Sequence, residues 1–250
     1  MKGMLRQVVF IVFSTVLMMT AMKTSAFEMR VEFSADAIQS LSGRTLNKSK
    51  MFVSKTAVRT ETKQQGRDVV EITYLLTGKK VLLDKENTAY REKQGIVMKP
   101  AWRDKKLRSP CDGIKGIKCL DLGTENMRNM SVKKWQVERV INGKTFKSMH
   151  WIENDRRFAI KEMLPDGSIS ELILIGSGKL DRREAEQWKS IYSHPSGQYS
   201  ETRQWYDKEL KMVTREEDKN GHVRELVNIK VERQKPGLFI VPQGYKKIKN

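Results

Sequence analysis

Apolar and polar residues alternate along most of this chain, and helical spacing is rare. From Phe27 the apolar set Phe27, Met29, Val31, Phe33, Ala35 and Ala37 recurs at every second position, with Glu28, Arg30, Glu32, Ser34 and Asp36 between them. Successive strand side chains point to opposite faces, so a period of two predicts a half-buried strand. The same period runs through 50–54 and 58–62, and through Val70, Ile72, Tyr74 and Leu76, which line one face of a strand ending at Thr77-Gly78. Val81 and Leu83 start the return strand, closing a hairpin at Gly78. Asn142-Gly143, Pro165-Asp166-Gly167 and Asn220-Gly221 punctuate further alternating runs, and strands joined by such short turns make an antiparallel meander. The best helix candidate is Asp181 to about Ser190, while 96–118 has no clear period and 96–125 reads as a long connection.

An internal repeat emerges when 151–175 is laid on 205–229 without a gap. Trp151/Trp205, Glu162/Glu216, Gly167/Gly221, Glu171/Glu225, Leu172/Leu226 and Ile175/Ile229 are identical pairs, and Phe158/Met212 and Lys161/Arg215 are chemically similar. Both copies read Trp, strand, Asp/Asn-Gly turn, strand. The period is too irregular for a solenoid.

Composition narrows the class. Of 250 residues, 38% are hydrophobic and 31% charged, which excludes a disordered polar tail, a collagen-like chain and a coiled coil. Lys2 and Arg6 precede an apolar run, Val8 to Met22, that ends in Lys23-Thr24-Ser25-Ala26. This order of charged, apolar and small residues is that of a secretory signal peptide cleaved after Ala26, and the run is shorter than the ~20 residues of a membrane span. No cysteine stands at that junction, so the expected product is a soluble exported protein without a lipid anchor. Cys111 and Cys119, the only two cysteines, read as a disulfide clip in an oxidising compartment.

The formal net charge is +18, with basic clusters at 103–108, Lys133-Lys134, Arg156-Arg157, Arg182-Arg183 and 246–249. A surface of this kind attracts polyanions, and for an exported protein these are anionic lipid headgroups, lipopolysaccharide phosphates or acidic polymers rather than nucleic acid. The same lysines also keep a wide sheet soluble and blunt its edges. Catalytic signatures are missing. His150, His194 and His222 are not at metal-ligand spacing, no Gly-x-Ser-x-Gly elbow is present, and Gly176-Ser177-Gly178-Lys179 lacks the rest of a phosphate loop and reads as a turn leaving a strand. We therefore expect no enzyme, no metal and no cofactor. The tryptophans have two readings, packing in a closing sheet or lining an apolar groove on its concave face.

Several stretches resemble the LolA/LolB-type lipoprotein-carrier superfamily. They are Phe33-Ser34-Ala35-Asp36, Lys50-Met51-Phe52-Val53 with Val58-Arg59-Thr60-Glu61, Asp84 with Tyr90-Arg91-Glu92, Cys119 with Gly123-Thr124-Glu125-Asn126, Lys134-Trp135-Gln136-Val137, and the ending Gly237-Leu238-Phe239-Ile240-Val241-Pro242-Gln243-Gly244-Tyr245. The resemblance implies a half-open antiparallel barrel under a helical lid, holding acyl chains without catalysis, with Arg59 at the place of the arginine that latches the lid.

Pattern and resemblance together predict a mainly β chain: a strongly bent antiparallel half-barrel sheet with few short helices and a repeated C-terminal β-unit. Its expected parts are a signal peptide (1–26), an N-terminal meander (27–95), a disulfide-clipped connection (96–125) and the repeated unit completing the half-barrel (126–250). The expected function is that of a monomeric periplasmic carrier of lipid or lipoprotein acyl chains. Its ligand-lining set is Met51, Val53, Arg59, Ile72, Tyr74, Leu76, Val81, Leu83, Trp135, Trp151 and Trp205. The alternative is an envelope structural or stress-signalling module that meets a partner protein or an anionic membrane surface through its basic residues.

Overall fold

A computed structural model describes residues 31–95, 109–111 and 116–248. The segment predicted as a signal peptide (1–26) and most of the predicted connection (96–125), including the 103–108 basic cluster, lie outside them. The first meander is β1 (Phe33–Leu41), β2 (Arg44–Val53), β3 (Ala57–Gln64), β4 (Arg67–Tyr74), β5 (Lys79–Asp84) and β6 (Ala89–Gln94). A second runs through β7 (Ile117–Met127), β8 (Met130–Ile141), β9 (Lys144–Glu153), β10 (Ala159–Met163) and β11 (Ile169–Leu180). It continues as β12 (Arg183–Ser193), β13 (Tyr199–Asp207), β14 (Met212–Asp218) and β15 (His222–Val231). A tail with one 3₁₀ turn, Pro236–Phe239, then leads to β16 (Lys246–Lys247).

All sixteen strands form one open, bent sheet in the order β16-β6-β5-β4-β3-β2-β1-β15-β14-β13-β12-β11-β10-β9-β8-β7. The two meanders are thus joined where β1 meets β15. Every pairing is antiparallel except β16 on β6. Turn chemistry accounts for the hairpins: Asn142 and Gly143 both have positive φ, 49° and 75°, as a two-residue hairpin turn requires.

Two expectations are corrected. Asp181 to Ser190 is not helical: Arg183–Ser193 is β12, paired on both sides by β11 and β13. Local helix propensity yields there to pairing on both edges and to burial of Ala185, Glu186 and Trp188. Gly176–Lys179 is likewise not a turn but lies inside β11, which bulges between Leu174 and Gly176. Among the described residues the 3₁₀ turn is the only helical element.

The sequence repeat corresponds to repeated geometry. Residues directly opposite across an antiparallel ladder share a face. Trp151, Lys161 and Glu171 are opposite one another on β9, β10 and β11; Trp205, Arg215 and Glu225 are so on β13, β14 and β15. In the first copy Lys161 lies 5.6 Å from the Trp151 ring centroid and 3.0 Å from Glu171. In the second Arg215 lies 5.2 Å from the Trp205 ring and 2.6 Å from Glu225. The turns before β10 and β14 are also built alike. Glu153 Oε1 and Oε2 accept the amides of Asp155 and Arg156, while Asp207 Oδ1 accepts those of Glu209 and Leu210. Each carboxylate sits beside an arginine, Arg156 in one copy and Arg183 in the other.

These turns fold apolar side chains back onto the sheet. Phe158 meets Trp188 and Tyr206 at ring distances of 5.2 and 5.9 Å, in a core with Trp151, Ile160 and Leu172. The matching Met212 joins Phe33, Ala35, Val53, Leu75 and Leu226. The disulfide Cys111–Cys119 ties the connection to the start of the edge strand β7.

Toward the other end of this face the floor turns polar. Trp188, Gln204, Glu216 and Arg224 are successive partners across β12 to β15. Burial holds the Glu216 carboxyl above its ordinary range, an effect to which Asp218 adds and which Arg224 and the bond to Gln204 oppose. A carboxyl raised in the fold binds its proton more tightly than in the unfolded chain, so stability falls as pH rises above 4.5, the unfolded value. Glu216→Gln is expected to be more stable than the parent at pH 8 and to lose that advantage below pH 4. Urea midpoints across this range check it.

Candidate functional site

Register assigns one face of the first meander. Phe52, Arg59, Ile72 and Val81 stand in one row across β2 to β5, and Glu61, Val70, Leu83 and Tyr90 in the next, across β3 to β6. The floor is apolar, with Val70, Ile72 and Val81 fully buried. What buries them is the chain's own C-terminal tail: Phe239 packs with Ala57, Val70, Ile72, Val81 and Leu83, flanked by Leu238, Val241 and Tyr245.

Polar groups pin the tail. Arg59 Nη1 donates to the carbonyl of Leu238 at 2.9 Å, and its Nε and Nη2 hold Glu61 at 2.7 and 2.6 Å. The Tyr74 hydroxyl donates to the next carbonyl, Phe239 O, at 2.7 Å. Burial raises the Tyr74 phenol above its usual range, against the pull of Lys79, so it remains a donor at neutral pH. Beyond the turn, the amides of Lys246 and Ile248 donate to Thr88 O and Tyr90 O at 2.9 Å each, adding β16 to the β6 edge. Glu92 takes both Lys247 and Lys79, and these bonds hold its carboxyl below the ordinary range.

The predicted lining residues divide between environments. Arg59, Ile72, Tyr74, Val81 and Leu83 converge under the tail. Met51 and Val53 point the other way, into the core around Phe33. Leu76 lies past the end of β4, and Leu75 is the buried residue there. Trp135 stands opposite His150, whose ring links Ser148 Oγ at 2.7 Å to Glu162 at 2.9 Å. Trp151 and Trp205 carry the two cation ladders, Trp151 also with Lys134 at 5.0 Å.

Ladders absorb much of the basic charge: Lys133 pairs with Asp121, Arg156 with Glu153 and Glu186, and Arg183 with Asp207 and Glu209. Arg157 and Arg182 are exposed. Among the described residues no group of three metal-ligating side chains forms. The alternation did not mark Leu238, Phe239 and Val241 as part of this site. Their signal was a compact apolar run just after Pro236-Gly237, with neither a strand nor a helix period.

No protein-family model and no curated protein matches the chain. Solved structures do. One is PNGF-II, with a TM-score of 0.33 and 11% identity over 87% of this chain, which spans only 31% of that protein's length. Another is a LolA superfamily protein from Nitrosomonas europaea, with a TM-score of 0.37 and 11% identity, covering 90% of this chain and 96% of that one. A third is an outer membrane lipoprotein-sorting protein domain from Vibrio parahaemolyticus, with a TM-score of 0.34 and 9% identity, covering 84% and 89%.

Proposed function

We propose that this is a non-catalytic periplasmic binding or carrier protein, and that the tail-covered face of β3 to β6 is its site for the acyl moiety of a lipid or lipoprotein. The observation that carries this reading is the cover itself: an apolar sheet face is closed by a separate stretch of chain held through main-chain carbonyls. Release of the Leu238 and Phe239 carbonyls frees Arg59 and Tyr74 as donors, and the ester or amide carbonyl at the head of an acyl chain offers them equivalent acceptors. Arg59 then works as a latch on the tail rather than on a helical lid. Ile72, Val81 and Leu83 form the floor that the hydrocarbon covers.

Solvent extraction of the protein as purified, followed by mass spectrometry, tests this reading. The expected result is an acyl lipid at near-equimolar amount. Absence of lipid, together with salt-sensitive binding to lipopolysaccharide or another polyanion, replaces carriage with the alternative of an envelope module acting through its basic surface.

A further inference from the structure

The groups that hold the tail do more than accommodate hydrocarbon. Two side-chain donors meet two successive main-chain carbonyls, those of Leu238 and Phe239. The β6 edge supplies two carbonyl acceptors, Thr88 O and Tyr90 O, to main-chain amides of the occupant. Glu92 meets an amino group at Lys247. A simple acyl chain has no N–H groups for the edge and no ammonium for Glu92. A polypeptide has both, and strand addition with side-chain pockets is a general way to bind one.

Resting on the reading that this face is a ligand site, we propose that it is a peptide groove and that the tail is its internal occupant. Its partner is a segment of another protein, or of the protein part of a lipoprotein, that follows the tail's path of a 3₁₀ turn and then a short strand on β6, with two adjacent large apolar residues followed some eight positions on by a lysine, as in Leu238-Phe239 and Lys247. The tail and such a segment compete for one face, so anything that loosens the tail strengthens binding in trans.

The probe is a fluorescein-labelled peptide with the sequence of residues 235–248, titrated by anisotropy into the full chain. Leu238→Ala and Lys247→Glu each weaken the internal occupant without altering the groove, and hydrogen exchange at the amides of Lys246 and Ile248 reports how far the tail has opened. Each opened variant is expected to bind the peptide at least about ten-fold more tightly than the parent. Adding Arg59→Met to Leu238→Ala should lose about ten-fold again, and a peptide with serine in place of both apolar residues should not bind. The proposal is overturned if the amides exchange freely yet peptide affinity does not rise, or if affinity is indifferent to Arg59. Peptide binding without co-purified lipid would remove acyl carriage and leave the groove; lipid without peptide binding would do the reverse.

Discussion

Phe239→Ala is expected to lower the free energy of unfolding by about 3–4 kcal/mol, the usual cost of truncating a buried phenylalanine. The ring is 7% exposed and covers side chains from β3, β4 and β5 at once. The pins leave it little room to resettle, since the carbonyls of Leu238 and Phe239 are both fixed. The loss should be regional: amide protection falls first in β3 to β6, while the core around Phe158 and Trp188 keeps its own. Urea denaturation gives the magnitude and residue-level hydrogen exchange the location. A cost below about 1 kcal/mol would show that something other than the tail keeps water from this face.

Asp207→Ala should be at least as damaging, by about 3–5 kcal/mol, because it breaks a buried ion pair and removes a turn acceptor in one step. The carboxylate is 2% exposed, takes Arg183 Nε at 2.6 Å and Nη2 at 3.1 Å, and caps the amides of Glu209 and Leu210 at 2.9 and 2.8 Å. Asp207→Asn retains Oδ1 for the two amides but loses the charge and turns Oδ2, the acceptor of Arg183 Nε, into a donor, so it should fall between the parent and Ala. Thermal melts of the parent and both variants order them. If Ala and Asn behave alike, the amide caps contribute nothing and the Arg183 pair alone fixes the turn.

A period of two was enough to find most strands, and Gly78, Asn142-Gly143 and Asn220-Gly221 marked their turns because those backbones need positive φ at glycine. The ungapped repeat also had a physical basis, since Trp151, Lys161 and Glu171 are spaced to stand opposite one another on three strands, as are Trp205, Arg215 and Glu225. Alternation does not say which of two faces a residue takes. That is why Met51 and Val53 leave the group that Ile72 and Val81 form. Strand ends are equally silent: one residue past Tyr74 the pattern exchanges Leu76 for Leu75. The tail stands out in sequence as an apolar run and a carrier-like ending, but where it docks was illegible, as its contacts depend on where the chain returns after β15, and no local pattern encodes that.

The seam between the two meanders has a kinetic consequence. Asn228 binds Asp36 across 192 positions of chain, and the Gln234 amide reaches Glu32 across 202. Until the C-terminal part of the chain has folded back, β1 therefore keeps one side of its backbone unsatisfied, a closure that comes late because it spans nearly the whole sequence. During that interval it is a template for any passing strand. Loss of the last hairpin by proteolysis would recreate the same hazard in the finished molecule, so protection from misassembly rests on the arrival of β15.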